Sequence, residues 1–593
     1  MKKVRYLTAP AKVVGVMDEA VRFVLENQLK DLPTWKKFTE VFSTHEDTEA
    51  GRWRGEYFGK QMRGAALVYA YTQDEELYEI LTETVRNLLT RQDEYGRFST
   101  YAVDNEFHGW DMWCRKYALV GLLYYHAICR DEALKAQILS ACCRHMDYIV
   151  EKIGDGDGQI PITQTSHWWG CVNSCTILEP TIELYKRTGK AEYLAFAKYI
   201  LSTGGCSDCN LIDLASRGEL APYQYPVTKA YEMMSFYEGL VAYYEATGEE
   251  AYFKAAVAFI EAVAKTDVTI IGCAGCTHEL FDHSAIKQTE FSEVIMQETC
   301  VTVTWMRLLA RVYQLTGETK YLDRLEISGY NALYGSLNTE KNPQLEMERG
   351  IYQEARAFDS YSPLYMNTRW RGIGGFNTFA SGGYGGCCIV IGAAAVALMP
   401  LMAIMQGEDG TVYLNLLCSG RAEVTDLDGK PVTLRLESGY PSSGKAWIWM
   451  DCEGECRLSL QLRIPSWCES YRLFGEEKSG NGYAVIEGNF CGGTRFSVEL
   501  SIGVKEWRLN GKVAYTYGAL TLASDEEKCS RPLSSPVWTD EDLEYKTLPC
   551  KEGELVRLLL RLPNGEELLL TDYQSCGKKA GSVMTAWFHE KIR

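Results

Sequence analysis

A repeated helical hairpin constrains the fold of this chain more than any other feature of its sequence. In the first two thirds, a helix rich in Leu and Tyr ends in a short polar turn, and a second helix with an acidic start follows. Glycine after one helix and an acidic residue at the start of the next are ordinary stop and start signals. Successive turns lie 57, 59, 59 and 69 residues apart, near Thr72, Cys129, Thr188, Thr247 and Thr316. This period predicts a repeat architecture.

Five such hairpins, with a sixth that ends in an apolar helix after Cys388, predict an (α/α)₆ barrel. The segment Cys387–Met405 carries no charge and is close to the length of a membrane span. It contains Pro400, is flanked by glycines and polar residues, and has no counterpart elsewhere in the chain. We therefore predict a barrel helix that is buried on all sides, not a membrane anchor.

The sequence pattern changes to period-two alternation after about residue 406. Segments such as PVTLRLES and CRLSLQLRIP, separated by Gly, Pro and Asn turns, predict short strands. We expect a barrel domain over 1–405, a β-sandwich over 406–512 and a second small β module over 513–593. The predicted fold class is therefore multidomain α+β, an (α/α)₆ barrel followed by β-sandwich modules. Long inserts between hairpins gather at one end of such a barrel, where they can build a pocket.

Charge and cysteine usage exclude several classes of partner. The net charge is −18 and the pI about 5.1, which disfavours nucleic acid and anionic membrane surfaces and favours a neutral substrate. The first residues contain no apolar run of signal-peptide length, and the 21 cysteines show no disulfide framework. Reduced thiols and a cytoplasmic location are expected. A homodimer is left open.

Two short motifs together offer four metal ligands. Glu298 and Cys300 lie in the sequence QETC, and Cys387 and Cys388 follow two glycines. One carboxylate and three thiols form a set that Zn²⁺ accepts in tetrahedral geometry. Because residues two apart in mid-helix point to opposite sides, we expect Glu298 and Cys300 in the turn that enters a helix over Val301–Leu315. The glycines permit the backbone that neighbouring ligands need.

A metal-bound thiolate can also act as a nucleophile. Zinc keeps a coordinated thiol deprotonated, so it can attack without a separate base. A glycosidase that uses it retains configuration and needs a further carboxylic acid for the leaving oxygen. The alternative is that these residues are inert buried thiols.

Rival metal motifs are weaker. The C-x-x-C pairs Cys206/Cys209 and Cys273/Cys276 lie more than sixty residues apart, beyond the spacing of zinc ribbons. The run Gly154–Gly158 lacks the later ligands of a calcium loop and predicts a turn.

Sugars are bound by aromatic faces and paired polar contacts. Four loop segments offer both residue types, and the alternative is that their aromatic residues fill the core. The candidate contact residues are His108, Trp110, Asp111, His167, Trp168, Tyr225 and Arg369.

At these motifs the chain resembles glycoside hydrolase family 127, the β-L-arabinofuranosidase family, over most of its length. QETCVTVTW at Gln297–Trp305, the run Tyr330–Tyr334 and the cysteine doublet carry the resemblance. It extends to the segments Trp53–Tyr69, Gly109–Tyr117 and Ile177–Gly189. The resemblance implies an (α/α)₆ barrel followed by β-sandwiches, a zinc ion held by Glu298, Cys300, Cys387 and Cys388, and Cys387 as nucleophile.

The resemblance also implies an acid/base glutamate upstream of the E-T-C motif. The matching element is His278-Glu279-Leu280-Phe281, which makes Glu279 the candidate, although its spacing to Glu298 is longer than in the family. Fallback acids are Asp282, Glu290 and Glu293.

The chain departs from the family pattern in two places. Ile389-Val390-Ile391 follows the doublet where the family commonly has Pro-Pro-Asn. Lys116 and Glu238 occupy two places of the family's pocket histidines, which bears on sugar identity more than on reaction type.

We therefore predict a retaining exo-glycosidase that removes a terminal L-arabinofuranosyl or related sugar from small oligosaccharides. Two alternatives are a zinc-thiolate transferase and a non-catalytic carbohydrate-binding protein with structural zinc. An isomerase or lyase on the same barrel is a weaker one.

Overall fold

A computed structural model provides the coordinates of the protein. It describes residues 3–48, 52–275, 277, 279–291, 297–339, 345–346, 352–353, 357–358, 360–361, 363–371, 376–378, 384–539, 544–579 and 581–592.

Six inner helices form a closed ring, in which each helix contacts the next and the last contacts the first. Their side chains are buried on nearly every face, because neighbouring helices cover both flanks and an outer helix covers the back. The predicted (α/α)₆ barrel is confirmed. The inner helices are Glu56–Thr72, Asp111–Ile128, Leu178–Thr188, Ala230–Thr247, Thr299–Thr316 and the interrupted helix Cys387–Ile391, Ala393–Val396 and Leu398–Ala403.

An outer layer of helices surrounds this ring. Five outer helices follow their inner partners directly, as the hairpin repeat predicts, but the outer partner of the last inner helix comes from the start of the chain. That partner is Val16–Val24, continued by a π-helical turn. The next helix, Leu32–Thr44, packs against Glu56–Thr72 and Glu75–Leu89. The five are Glu75–Leu89, Glu132–Lys152, Ala191–Ser202, Glu250–Thr266 and Thr319–Ile327; the short helices are Val172–Cys175, Leu211–Arg217 and Ser284–Lys287.

The hairpin turns use the stop and start signals seen in the sequence. Gly189, Gly248 and Gly317 end inner helices in the left-handed conformation, with φ of 68°, 76° and 70°. Asp74 and Asp131 cap the outer helices that follow them, and the Asp74 side chain accepts a hydrogen bond from the Leu77 amide at 2.8 Å. Capping residues next to each helix therefore define where these helices begin and end.

Two antiparallel-rich sheets follow the barrel and form the predicted β-sandwich, with alternating buried and exposed residues along strands such as Pro431–Ser438. The N-terminal strands Val4–Tyr6 and Lys12–Val13 each join an edge of these sheets. In spatial order the first sheet contains Val4–Tyr6, Ile404–Gly407, Val412–Leu414, Glu455–Ile464 and Gly482–Cys491. The second contains Glu476–Ser479, Ser470–Leu473, Thr494–Leu500, Lys445–Asp451, Pro431–Ser438, Gly420–Thr425 and Lys12–Val13.

A third sheet forms the last module. Asn331, in the run Tyr330–Tyr334, fastens it to the barrel, because its side chain donates to the Ala519 carbonyl and accepts from the Thr521 amide at 2.9 and 2.8 Å. The sheet contains Val537–Thr539, Phe588–Ile592, Lys512–Tyr517, Leu520–Asp525, Glu567–Asp572, Arg557–Arg561 and Glu544–Thr547, with Val504–Leu509, Val583–Thr585 and Asn367–Thr368 at its side. Short strand pairs are Leu345–Glu346 with Tyr352–Gln353, Ser360–Tyr361 with Trp370–Arg371, and Phe376–Thr378 with Tyr384–Gly386. The domain boundaries stay a prediction.

Among the described residues, no helix has the length and apolarity needed to cross a bilayer. The apolar segment after Cys387 lies inside the barrel, where Val390, Ala393 and Met399 are fully buried.

Close helix contact in the ring is expected to depend on Gly59. A Cβ at this position would lie 1.8 Å from the Tyr117 carbonyl oxygen, so Gly59→Ala should lower the free energy of unfolding by about 1–3 kcal/mol or more. Gly239→Ala is the matched control, because the nearest atoms to its Cβ would be side-chain atoms of Leu178 at 3.0–3.1 Å, not backbone, and it gains the same helix propensity. Urea-unfolding midpoints of both variants, followed by circular dichroism, test this. Equal midpoints would contradict it.

Candidate functional site

Four ligand side chains meet where two neighbouring inner helices begin. The ligand atoms of Glu298, Cys300, Cys387 and Cys388 all lie within 4.8 Å of one another. The sulfurs of Cys300 and Cys388 are 3.1 Å apart, and the Glu298 carboxylate is 3.0 Å from the Cys388 sulfur. The Cys387 sulfur lies 3.9 Å from the same carboxylate oxygen. Within the described part of the chain, this is the group of His, Cys, Asp and Glu side chains that could hold a metal ion.

The local backbone explains how ligands two residues apart converge. Glu298 is the extended N-cap residue of the helix Thr299–Thr316, so it lies in the entering turn that the spacing of the motif predicts. Gln297 before it adopts a left-handed φ of 55°. Cys387 and Cys388 open their own helix after the extended residue Gly386. Both ligand pairs therefore project from helix starts at the same end of the barrel.

Exposure distinguishes Cys387 from the other ligands. Cys300 and Cys388 are fully buried and Glu298 is 6% exposed, whereas Cys387 is half-buried. Hydrogen bonds from the Cys300 and Cys388 thiols, together with the ammonium groups of Lys60 and Lys229, hold the pKa of Cys387 well below its usual range. Cys387 is thus the thiol of the group that is most open to solvent.

A buried lysine lies beside the thiols. Lys60 pairs with Glu56 at 2.9 Å and lies over the rings of Tyr231 and Trp113 at 4.6 and 5.4 Å. The Trp113 indole donates a hydrogen bond to the Glu56 carboxylate. Burial raises the pKa of Glu56 to about 7, against the opposing effect of Lys60. These aromatic rings position the ammonium group in a dry environment.

Glu279 is held at the same end of the barrel by backbone pairing. The Ala230 amide donates to the Glu279 carbonyl at 2.7 Å, and the Phe281 amide donates to the Thr228 carbonyl at 2.8 Å. The Glu279 side chain forms an ion pair with Lys229. Its backbone is left-handed, with φ of 60°, a conformation that costs energy in a residue with a side chain and is common at functional sites.

Two of the aromatic loops meet near this ion pair. The indole rings of Trp110 and Trp168 stack with centroids 6.3 Å apart, and Trp110 also contacts Trp113 at 5.9 Å. Lys229 lies 5.5 Å from the Trp169 ring centroid. His108 and His167 are exposed on the same loops, and His167 lies against Trp168 at 4.6 Å. An aromatic wall therefore connects the loops to Lys60 and to Glu279.

Two further candidates for sugar contact, Asp111 and Tyr225, are buried. The Asp111 carboxylate is fully buried and accepts hydrogen bonds from Ser99, the Phe107 amide and Arg115 at 2.6–2.9 Å. Tyr225 is 4% exposed, and burial raises its pKa to about 12.

Lys116 and Glu238 lie farther along their helices than Trp113 and Ala230, toward the opposite end of the barrel. Lys116 is fully buried, contacts Ser235, and has its pKa lowered by burial to about 7. Glu238 forms an ion pair with Arg307 at 3.2 Å. It lines a cavity of about 270 Å³ that also includes Glu183.

Arg369 belongs to the contact between the barrel and the last module. Its guanidinium donates to the carbonyls of Cys576, Gly335 and Tyr573 at 2.7–2.8 Å and lies 4.9 Å from the Tyr573 ring. These contacts fasten the third sheet. A sugar contact by Arg369 stays a prediction.

The last candidates from the sequence are the fallback acids and the cysteines of the rival metal motifs. Asp282 contacts Ser284 and Lys287, and Glu290 is exposed. Cys206 accepts a hydrogen bond from the Asp208 amide at 3.4 Å. His278, Glu293 and Cys276 lie outside the described residues.

Four charged residues of the site were not among the sequence candidates: Glu56, Lys60, Lys229 and Glu232. The available signal was a pair of opposite charges on an inner helix, Glu56 and Lys60, four residues apart. A second pair, Lys229 and Glu232, lies three residues apart at the start of another inner helix. Charged residues on helices that the barrel buries are candidates for a functional role.

The donor set fits a soft divalent metal ion. The edges of a tetrahedron with 2.3 Å metal–sulfur bonds are about 3.8 Å long. The observed separations, from 3.0 to 3.9 Å between the atoms cited above, bracket this length. Three sulfurs and one carboxylate oxygen, nearly all buried, can therefore hold one ion with small shifts.

Family models match two parts of the chain. The model described as β-L-arabinofuranosidase, GH127 catalytic domain, matches residues 7–345, and that described as β-L-arabinofuranosidase, GH127 middle domain, matches residues 411–502. No curated protein matches the chain.

Solved structures share the fold at low identity. A GH127 β-arabinofuranosidase superposes with a TM-score of 0.77 at 17% identity, over 100% of this chain and 98% of that one. A GH127 β-L-arabinofuranosidase from Geobacillus stearothermophilus T6 gives 0.72 at 18%, over 99% and 100%. A further glycoside hydrolase gives 0.67 at 17%, over 100% and 98%. At these identities the likeness concerns the fold.

Loss of one ligand is expected to empty the metal site. Cys300→Ser and Cys388→Ser should reduce bound metal from one ion per chain to near zero, because a three-ligand site binds far more weakly. Elemental analysis by mass spectrometry after desalting measures this. Cys142→Ser, which changes a buried thiol on the outer helix Glu132–Lys152, should keep the full complement. Full occupancy in both ligand variants would contradict the site.

Proposed function

Since this chain belongs to the GH127 β-L-arabinofuranosidase family, we propose that it is a retaining glycoside hydrolase that removes a terminal L-arabinofuranosyl or related sugar from oligosaccharides. The family resemblance predicted from the E-T-C and C-C motifs is confirmed. Family membership supports glycoside hydrolase activity. The observation that carries the finer proposal is a half-buried thiolate, Cys387, set among three more buried ligands.

Glu298, Cys300, Cys387 and Cys388 would hold the metal, and zinc is the ion that we propose. When bound, it would keep the coordinated thiols deprotonated at neutral pH. Four protein ligands are typical of a structural zinc site. Here one of the four, Cys387, is partly exposed, so its sulfur can also react with a bound sugar. The partial exposure of Cys387 therefore favours the hydrolase over a carbohydrate-binding protein with structural zinc.

In the first step, the Cys387 sulfur attacks the anomeric carbon of the terminal sugar. A carbon–sulfur bond forms while the bond from that carbon to the leaving oxygen breaks. Glu279, in its protonated form, gives its proton to the leaving oxygen. The sugar is then joined to Cys387 as a thioglycoside.

In the second step, water replaces the thiolate. Glu279, now a carboxylate, takes a proton from water as the oxygen bonds to the anomeric carbon and the carbon–sulfur bond breaks. Two inversions give net retention. Glu279 and Cys387 return to their starting states.

The aromatic loops would bind the sugar. Trp110 and Trp168 offer ring faces on these loops, and the neighbouring Trp169 lies beside Lys229 of the ion pair with Glu279. The exposed imidazoles of His108 and His167 offer hydrogen bonds to hydroxyl groups. Asp111 orders the loop that carries Trp110, through bonds to Phe107 and Arg115. Lys116, Tyr225, Glu238 and Arg369 stay candidates for sugar contact.

A panel of aryl glycosides that includes β-L-arabinofuranosides tests the function. The protein should release the aryl group from at least one member, and a zinc chelator should abolish release. Cys387→Ser should lower kcat by at least about a thousandfold while the circular dichroism spectrum is unchanged, because serine is a much weaker nucleophile. The product anomer, followed by NMR, should be the retained one. Turnover by Cys387→Ser near the wild-type rate would contradict the nucleophile.

Glu279→Gln separates acid catalysis from nucleophilic attack. Because glutamine cannot donate a proton to the leaving oxygen, kcat/KM should fall about 10²–10⁴-fold for alkyl-linked oligosaccharides and far less for nitrophenyl glycosides. Measured rates on both substrate classes check this. Asp282→Asn is the control, since this neighbouring acid contacts Ser284 and Lys287. Equal losses on both classes would exclude Glu279 as the acid.

A further inference from the structure

An exposed indole lies beside the ion pair that holds Glu279. Trp169 is 37% exposed, which is unusual for so large an apolar side chain inside a ring of loops. The Lys229 ammonium lies 5.5 Å from its ring centroid, and the same ammonium contacts the Glu279 carboxylate. Because an ammonium–carboxylate contact spans about 3 Å, the indole centroid lies within about 9 Å of that carboxylate.

The backbone at this indole adopts a costly conformation. Trp169, Gly170 and Cys171 have φ of 50°, 59° and 62°, so three successive residues are left-handed. Glycine adopts this conformation freely, but a bulky residue does so at a cost in free energy, and such residues cluster at functional sites. The cost at Trp169 therefore indicates that the position of this side chain matters for function.

Contacts of the backbone hold the turn in place. The Gly170 carbonyl accepts a hydrogen bond from the Ser207 amide at 2.8 Å, and the Cys171 thiol donates to the Ser166 carbonyl at 2.7 Å. A Cβ on Gly170 would lie 2.5 Å from the Cys206 sulfur, so the turn packs tightly on the neighbouring loop. The indole of Trp169 is thus held by its backbone while part of its surface stays open to solvent.

The indole is not needed for aromatic packing. Trp168, the residue before it, stacks on Trp110, whereas within the described part of the chain no aromatic ring packs against Trp169. Its ring contact is with the Lys229 ammonium. An open indole in a fixed position beside a lysine can bind a sugar, because the ring covers the apolar face of the sugar and the ammonium donates to its hydroxyl groups.

The proposed acid defines which sugar this is. An acid that protonates the leaving oxygen must lie within hydrogen-bond reach of it, so the leaving group begins next to Glu279. The terminal sugar lies between this acid and the Cys387 nucleophile, on the opposite side of the bond that breaks. A sugar ring attached to the leaving oxygen fits within the distance that separates Glu279 from the Trp169 indole.

We propose that Trp169 is a specificity-determining residue that stacks on the leaving-group sugar. This inference rests on the proposed function and deepens it. Trp110 and Trp168 are left to the terminal sugar, and Trp169 binds the next sugar along the chain. The protein then distinguishes a leaving group that is a sugar ring from a small alkyl group by contact with this one indole.

Two substrates with the same terminal sugar test this role. They are a disaccharide with a terminal β-L-arabinofuranosyl group and the corresponding methyl glycoside. Trp169→Gly removes the ring and suits the left-handed backbone, so the loop keeps its shape. It should lower kcat/KM about tenfold on the disaccharide, mainly by raising KM, and less than about twofold on the methyl glycoside. Trp169→Tyr, which keeps a smaller ring, should restore most of the loss.

Trp447→Ala is the matched control. Trp447 lies in the strand Lys445–Asp451, is 36% exposed and has Arg495 at 5.5 Å from its ring, so its exposure and its cation contact equal those of Trp169. It should leave the kinetics on both substrates unchanged. A folded Trp169→Gly protein with unchanged disaccharide kinetics would overturn the proposal, and so would equal losses on the two substrates.

Calorimetry separates this role from the proposed reaction. In the Cys387→Ser background, which should not turn over substrate, addition of Trp169→Gly should weaken disaccharide binding about tenfold and leave binding of the methyl glycoside unchanged. If the wild-type protein hydrolyses no glycoside, the proposed function fails, and this comparison still decides the role of Trp169. Equal affinity of the two proteins for the disaccharide would overturn it even in an active enzyme.

Discussion

Closure of the inner helix ring is the constraint on which the rest of this structure depends. The apolar helix that begins at Cys387 has almost no polar side chains, so it is stable in water only when its neighbours cover it. It packs between the first inner helix, Glu56–Thr72, and the fifth, Thr299–Thr316. That packing brings Cys388 to 3.1 Å from Cys300, although the two residues are 88 positions apart in the chain.

The charges inside the barrel lie in two layers. One surrounds the thiols and contains the pairs Lys60–Glu56 and Lys229–Glu279, and the other lies farther along the helices, where Glu238 meets Arg307. Buried ion pairs contribute little net stability, because desolvation offsets their attraction, but they define geometry and protonation. The first layer combines thiolates, lysines and carboxylates beside an aromatic wall, which is where proton transfer and nucleophilic attack can be coupled.

Sequence patterns predicted the features that depend on residues close together in the chain. Glycine stops, aspartate caps and the hairpin period predicted the barrel, and the E-x-C and C-C motifs predicted ligands at helix starts. Side-chain roles were harder to predict. Asp111 and Arg369 carry the functional groups that bind sugars, yet their donors and acceptors are taken up by Arg115 and by the backbone of the last module. Nothing in their flanking residues distinguishes these uses.

What the sequence by itself determined was the set of helices and strands, the family, and the four residues able to hold a metal, because capping, periodicity and ligand chemistry are properties of short segments. Only the tertiary structure decided which of the three thiols is partly exposed, and that Lys229 pairs with Glu279. Exposure and ion pairing depend on which helices are neighbours around the ring. The N-terminal helix Val16–Val24 illustrates this, since it completes the last hairpin from the opposite end of the chain.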